Sequence, residues 1–132
     1  MTAAAHCDAI VARLRAHPDL ASIVFVGDVP AKTTKYVVVF PSTPAHSVER
    51  FTGANTQEDY TYTINSVGLQ PAQALWVADR VVTQLLDFTP TVAGRKCRRL
   101  RHPVGRPVDR DKDVTPNLFY AVDQFDLTSS PA

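Results

Sequence analysis

Residues 59–86 read DYTYTINSVGLQPAQALWVADRVVTQLL, and two hydrophobic periods follow one another in that stretch. The first part alternates. Tyr60, Tyr62, Ile64 and Ser66 fall on one side, and Thr61, Thr63, Asn65 and Val67 on the other. Successive side chains of a strand point to opposite faces, so Asp59 to Val67 is expected to be a half-exposed strand with its aromatic side toward a core. Gly68 ends it. Pro71 then opens a helix at its first turn, where a missing N–H costs nothing. Ala74, Leu75, Ala78, Val81, Val82, Leu85 and Leu86 form a continuous apolar stripe at helical spacing. Trp76 and Arg80 lie one helical step to the side, four residues apart. A strand that hands over to an amphipathic helix implies a sheet with a helix packed on it.

The flanks extend this pattern. Residues 3–16 read as a first helix with Thr2 as its N-cap, Cys7, Ile10, Val11 and Leu14 on one apolar face, and Pro18 as its stop. Arg13, Arg15 and His17 suit the negative end of its dipole. Ser22 to Val26 reads as a strand ended by Gly27, Asp28 and Pro30. Lys35 to Phe40 is apolar on both faces and is expected to be central in the sheet. Residues 42–56 are polar and without a period, which reads as a long loop. Gly94 to Leu100 is expected to be a strand, and residues 104–117 a second long loop, with Pro103, Pro107 and Pro116 in or beside it. Leu118 to Leu127 alternates, with Phe119, Ala121, Asp123 and Phe125 on one side. The expected fold class is α+β: a single, mostly antiparallel β-sheet with two helices packed on one face. One domain covers 1–127, and 128–132 are expected to fray as a flexible tail.

The 132-residue chain, 45% hydrophobic and 20% charged, is average for a globular domain, which argues against intrinsic disorder. Its apolar runs are too short to span a bilayer, and the N-terminus lacks a basic segment followed by an apolar core, so neither a membrane span nor a signal peptide is expected. Two cysteines, Cys7 and Cys97, make neither a disulfide scaffold nor a zinc site and read as reduced thiols.

No constellation of residues announces an enzyme. The five glycines are isolated, so there is no phosphate loop, and no Gly-x-Ser-x-Gly elbow occurs. His6 and Cys7 are adjacent on a helix and point apart. His17 stands at a helix end. His46, Ser47 and Glu49 share a polar loop without further sign of a catalytic site. Asp109, Asp111 and Asp113 alternate as in a calcium loop but lack its glycine and closing glutamate. No catalytic residue, metal site or cofactor is expected.

Charge is unevenly placed. Arg95 to Asp113 holds eight cations and three acids, net +5, while the remainder holds six cations and ten acids, net −4. Arginines at 95, 98, 99 and 101 emerge on both faces of any strand, which suits an edge. Three readings stay open for this segment: a solvated edge, a subunit contact with the acidic remainder of a neighbour, or nucleic-acid binding. The absence of aromatics between Arg95 and Lys112 counts against the last. Trp76 is either the rim of the core stripe or an aromatic anchor at a subunit interface.

The order of segments resembles the tail terminator (tail-completion, or minor tail) proteins of long-tailed bacteriophages, in the form found in phages of actinobacteria. The carriers are Val29-Pro30 with Lys35 to Phe40, Tyr60 to Gly68, Pro71 to Arg80 with Leu85-Leu86, Arg106 to Val114, and Phe119 to Asp123. The resemblance spans residues 3–127. It implies a non-enzymatic subunit of a ring, usually six-membered, at the head-proximal end of the tail tube. Such a ring stops tube growth and offers the head–tail joining surface. The implied partners are further copies of the chain, the tail tube protein and a head completion or connector protein, with DNA passing through the lumen without sequence-specific binding. The implied location is the virion, reached through assembly in the host cytoplasm. Subunit or tube contacts are expected at Arg95, Arg98, Arg99, Arg101, Arg106, Arg110 and Trp76, and tube or connector contacts in 42–58 and 101–117. A small nucleic-acid-binding protein using residues 95–112 and a neighbouring head–tail connector protein are the alternatives.

Overall fold

A computed structural model describes residues 2–30, 33–47, 57–111 and 118–131. The elements run α1 (Thr2–Arg15), β1 (Val24–Val26), β2 (Tyr36–Pro41), β3 (Ala45–Ser47), β4 (Gln57–Gly68), α2 (Pro71–Leu85), β5 (Arg95–Cys97), β6 (Arg101–Gly105), β7 (Asp109–Asp111) and β8 (Leu118–Pro131). They form one sheet in the order β1-β2-β4-β8-β5, with β3 added to β4, and β6 and β7 added to β8. Only the β1–β2 pair is parallel among the described strands; the rest are antiparallel. The expected α+β architecture is the one found.

Two long strands are the axis of the molecule. β4 and β8 pair from Glu58↔Ser129 to Gly68↔Phe119. Their alternation decides the core. Tyr60, Tyr62, Ile64, Phe125 and Leu127 are buried on one face with Val24, Val37 and Val39. α1 brings Cys7, Ile10, Val11 and Leu14 to that face, and α2 brings Val77, Val81 and Leu85. Both helices therefore cover the same face, because the apolar parity of the strands leaves them no other to bury. Each fully buried large side chain contributes roughly 1.5–3 kcal/mol.

The junction of β4 and α2 explains the glycine. A Cβ at Gly68 would lie 2.9 Å from the Ala74 backbone nitrogen and 2.9 Å from Gln73 Cβ. The helix start packs directly on the strand end there. Leu69 N–H donates to Gln73 Oε1 at 2.8 Å, so a residue inside the helix supplies the cap that Gln70 does not.

Several expectations are corrected. The loop expected over 104–117 contains the end of β6 and all of β7, both paired with β8. The loop expected over 42–56 contains β3; residues 48–56 and 112–117, which hold Glu49 and Asp113, lie outside the described residues. The strand expected over Gly94 to Leu100 shortens to Arg95–Cys97. The tail expected to fray from residue 128 is instead the last part of β8 through Pro131, with Ser129 fully buried. It is held because β4 on one side and β5 on the other both pair with it. In α2 the buried line is Ala74, Val77, Ala78, Val81 and Leu85, while Leu75 and Leu86 are 53% and 47% exposed. The apolar stripe is wider than the face the sheet can cover. α1 and α2 are joined by reciprocal bonds, Arg13 Nε to Gln84 O at 2.9 Å and Gln84 Nε2 to Arg13 O at 2.8 Å, so Arg13 links the helices in addition to standing at a helix end.

Candidate assembly surface

The basic segment divides into an internal part and an external part. Arg95 belongs to the first. Its Nη2 lies 3.4 Å from Glu58 Oε1, with the two side chains only 14% and 16% exposed. Its Nε donates to Ser129 Oγ and its Nη2 to the Ser129 carbonyl, both at 3.0 Å. Ser129 Oγ lies 2.8 Å from His6 Nε2, and the His6 ring stacks on Tyr60 at 4.5 Å between centroids. Tyr60 Oη donates to Glu58. The network ties α1, the start of β4, β5 and the end of β8 together. The Tyr60 hydroxyl is pushed up by burial first, then by its bond to Glu58 and that carboxylate's charge. The His6–Ser129 pair has the atoms of a nucleophile and base, but both residues are fully buried. Burial leaves no room for a substrate, and the arrangement acts as a structural tie.

The other predicted cations are exposed. Arg98, Arg99 and Arg101 converge on a groove of about 410 Å³ that also touches Gln57, Thr61 and Thr128. Arg99 pairs loosely with Asp87 at 3.7 Å, both side chains well in solvent. A surface pair of this kind contributes little. Among the bonds to carboxylates in the groove, Thr128 Oγ1 donates to Asp59 Oδ1 at 3.0 Å and Thr61 Oγ1 to Asp126 Oδ1 at 3.4 Å. Arg106 stands apart, beside a cleft of about 470 Å³ with Pro107, Val108, Tyr120 and Val122. Arg110 lines a different groove again. The seven candidate residues therefore form no single patch.

Trp76 is half-buried and packs against the core. The Arg80 guanidinium lies 4.1 Å from its ring centroid and Lys35 Nζ lies 5.2 Å away. The four-residue spacing to Arg80 is thus a cation–π pair on the outside of α2.

Sequence reasoning missed the groove that holds Arg110. Among the described residues no helix covers the face of the sheet opposite α1 and α2, and there Asp28, Tyr36, Val38, Phe40, Asn65 and Tyr120 help to line a cavity of about 730 Å³. Phe40 is 42% exposed in it. The signal was the Val38–Phe40 alternation within a run apolar on both faces. The location of the helices was needed to tell which half stays open. Asn65 Oδ1 is buried beneath this groove with no hydrogen-bond donor among the described residues.

A second polar pair joins β6 to β8. His102 Nε2 lies 2.8 Å from Asp123 Oδ1, and its ring stacks on Phe125 at 4.7 Å. Burial raises the Asp123 carboxyl, and His102 only partly opposes this. Burial likewise raises the thiols of Cys7 and Cys97, which makes both poor nucleophiles. Among the described residues no group of His, Cys, Asp and Glu is placed to hold a metal ion, and no helix is long and apolar enough to cross a membrane.

No family model matches the chain, and no curated protein matches it. The fold does have solved counterparts. One chain, from a structure titled as the virion of a native gene transfer agent (GTA) particle, superposes with a TM-score of 0.80 at 17% identity over 98% of this chain and 97% of that one. The chain shares its fold with a gene transfer agent virion component. A second solved structure matches with a TM-score of 0.56 at 15% identity over 98% of this chain and 93% of that one. At such identities the likeness establishes the fold, over nearly the whole of both chains.

Proposed function

We propose that this protein is a structural virion subunit that forms a ring, of six copies, at the head-proximal end of a phage-type tail tube. The ring ends tube polymerisation and presents the surface that joins the head. The observation that carries the reading is the end-to-end fold match to a chain of a gene transfer agent virion. The segment order that resembles tail terminators points the same way.

The physical task of such a protein is asymmetric. One face must complement the open end of the tube, and the other must not reproduce that end. A ring also needs a heterologous lateral contact, in which one surface of each copy meets a different surface of the next. Several modest contacts made together then give avidity that none has alone. Arg98, Arg99, Arg101, Arg106, Arg110 and Trp76 are the candidates for subunit and tube contacts, and DNA passes through the lumen without being read. Arg95 is withdrawn from that list, because its guanidinium is committed inside the fold.

The test is light scattering of the purified protein, alone and with tail tube protein, followed by electron microscopy. Rings, or tubes capped at one end and limited in length, are expected. A chain that leaves tube length unchanged sinks the reading. The convergence of three arginines on one groove favours nucleic-acid binding as the second reading, and salt-sensitive retention of DNA by a chain that never caps tubes would select it.

A further inference from the structure

The face of the sheet opposite the helices changes character along its strands. Its cross-strand pairs run from Val67↔Tyr120 and Asn65↔Val122 to Thr63↔Gln124, Thr61↔Asp126 and Asp59↔Thr128. In the polar half, side chains bond to one another, as Thr128 does to Asp59 and Thr61 to Asp126. The apolar half holds Asn65, whose Oδ1 is buried with no donor among the described residues. The register Val38↔Asn65↔Val122 sets that amide between two valines. A strand position between valines favours a third β-branched residue, and an unmet buried acceptor only costs stability. The single chain would therefore hold valine here more easily than asparagine. A residue that costs its own fold something suits a contact that the single chain does not make.

The groove over Asn65 crosses the sheet. It is lined by residues of β2, β4, β8 and β7, and Tyr120 belongs both to it and to the cleft of Pro107, Val108 and Val122. Three strand spacings of roughly 4.8 Å make it about 14 Å long, the reach of about four extended residues. Val38 and Val67 are nearly buried in its floor, and Phe40 stands more exposed along it.

The unmet amide decides what kind of segment fits. A helix bonds its own backbone groups and would meet Asn65 with side chains alone. An extended residue presents its N–H and its C=O to the same side. The Asn65 amide matches that pair, because Oδ1 accepts the N–H and Nδ2 donates to the carbonyl. Turning the amide about χ2 to face the groove is a soft motion.

The sheet edges of a second copy are poor donors of such a segment. At β1 the Val24 carbonyl already accepts from Arg15 Nη2 at 2.9 Å, and the Val26 carbonyl from Asp28 N–H at 2.8 Å. At the other edge β5 and β7 read Arg-Lys-Cys and Asp-Arg-Asp, and β6 begins Arg-His-Pro. Laying that charge on a valine floor would strip its water without supplying a partner.

We propose that this groove receives an extended, apolar segment of the tail tube protein, with one residue of that segment bonded through its backbone N–H and C=O to Asn65. The inference rests on the ring reading and names the surface that grips the tube.

The test is Asn65→Val, read twice. The thermal midpoint of the variant alone is expected to rise by roughly 2–5 °C. Its capping of tail tubes, titrated and scored by electron microscopy, is expected to weaken at least about tenfold. Thr63→Val, on the same face but in the polar half, is expected to cap like the wild type. A midpoint that falls in Asn65→Val shows that the amide is already satisfied in the single chain and overturns the proposal. A variant that caps tubes like the wild type overturns the contact and leaves the ring reading standing. A variant that fails to form the rings that the wild type forms without tubes assigns the groove to a second copy and overturns the tube as its occupant. A wild type that never caps tubes overturns the ring reading and the contact with it.

Discussion

Arg95 and Arg98 stand three residues apart in one basic segment, and the fold treats them oppositely. The Arg95 guanidinium is drawn in toward Glu58 and Ser129, where it helps hold β5 and the chain end to β4. Arg98 uses only its backbone for structure, donating its N–H to the Thr128 carbonyl at 2.9 Å, and leaves its side chain at the mouth of a groove. Residue type is therefore silent about role here. What decides is whether the position faces a carboxylate across the sheet or the solvent beyond its edge.

The largest effect should come from breaking the internal member of the pair. Arg95→Met leaves Glu58 desolvated without its cation and is expected to cost about 3 kcal/mol of stability in a denaturant melt. Arg98→Met is expected to change little, and an equal loss at both positions would erase the distinction. Next comes the chain end. Ser129→Ala removes the hydroxyl that accepts from Arg95 and pairs with His6, and is expected to cost about 1–3 kcal/mol. Deleting residues 128–132 should cost at least as much, whereas a frayed tail would be lost without effect. Smaller still in stability is Arg98→Glu combined with Arg99→Glu, expected within about 0.5 kcal/mol of the wild type because both side chains are in solvent. That double variant is nonetheless expected to lose ring closure or tube capping in electron micrographs. A stable double variant that still caps tubes would remove these arginines from the assembly surface.

How far the sequence reached follows the same line. β4 and α2 were legible because their side chains carry the period of the element and one face of each is buried. β6 and β7 were not. Their pairing is supplied by the backbone of β8, Pro103 sits within a register shift between Arg101 and Val104, and strands this short show no alternation. The chain end was misread for a related reason. Thr128, Ser129 and Ser130 look like a polar tail, yet Ser129 is buried because a buried arginine and histidine need its hydroxyl. The site was legible as a charge excess and illegible as geometry. Asp28 and Phe40 belong to the candidate surface only because both helices lie on the other face.

Asp123 offers the finest test of inside against outside, because it sits at the boundary. It faces the helices from β8, is nearly buried, and is met by His102 from β6, with the Asp79 charge of α2 also acting on it. Burial is the largest influence and raises its carboxyl, the bond to and charge of His102 lower it, and Asp79 raises it again; the net direction is up from the ordinary 3.8. The folded chain therefore holds this proton more tightly than the unfolded chain. The stability linked to that proton is fully present below the ordinary carboxyl value and is lost as pH rises through the raised one. Asp123→Asn keeps an oxygen for His102 and removes the titration. Thermal midpoints of variant and wild type should thus converge in acid, with the variant gaining as pH rises across the window just above 3.8. The gain is expected to be the smallest of these effects. Parallel curves across that window would mean that His102 offsets the burial of Asp123 completely, and that the β6–β8 contact behaves as surface.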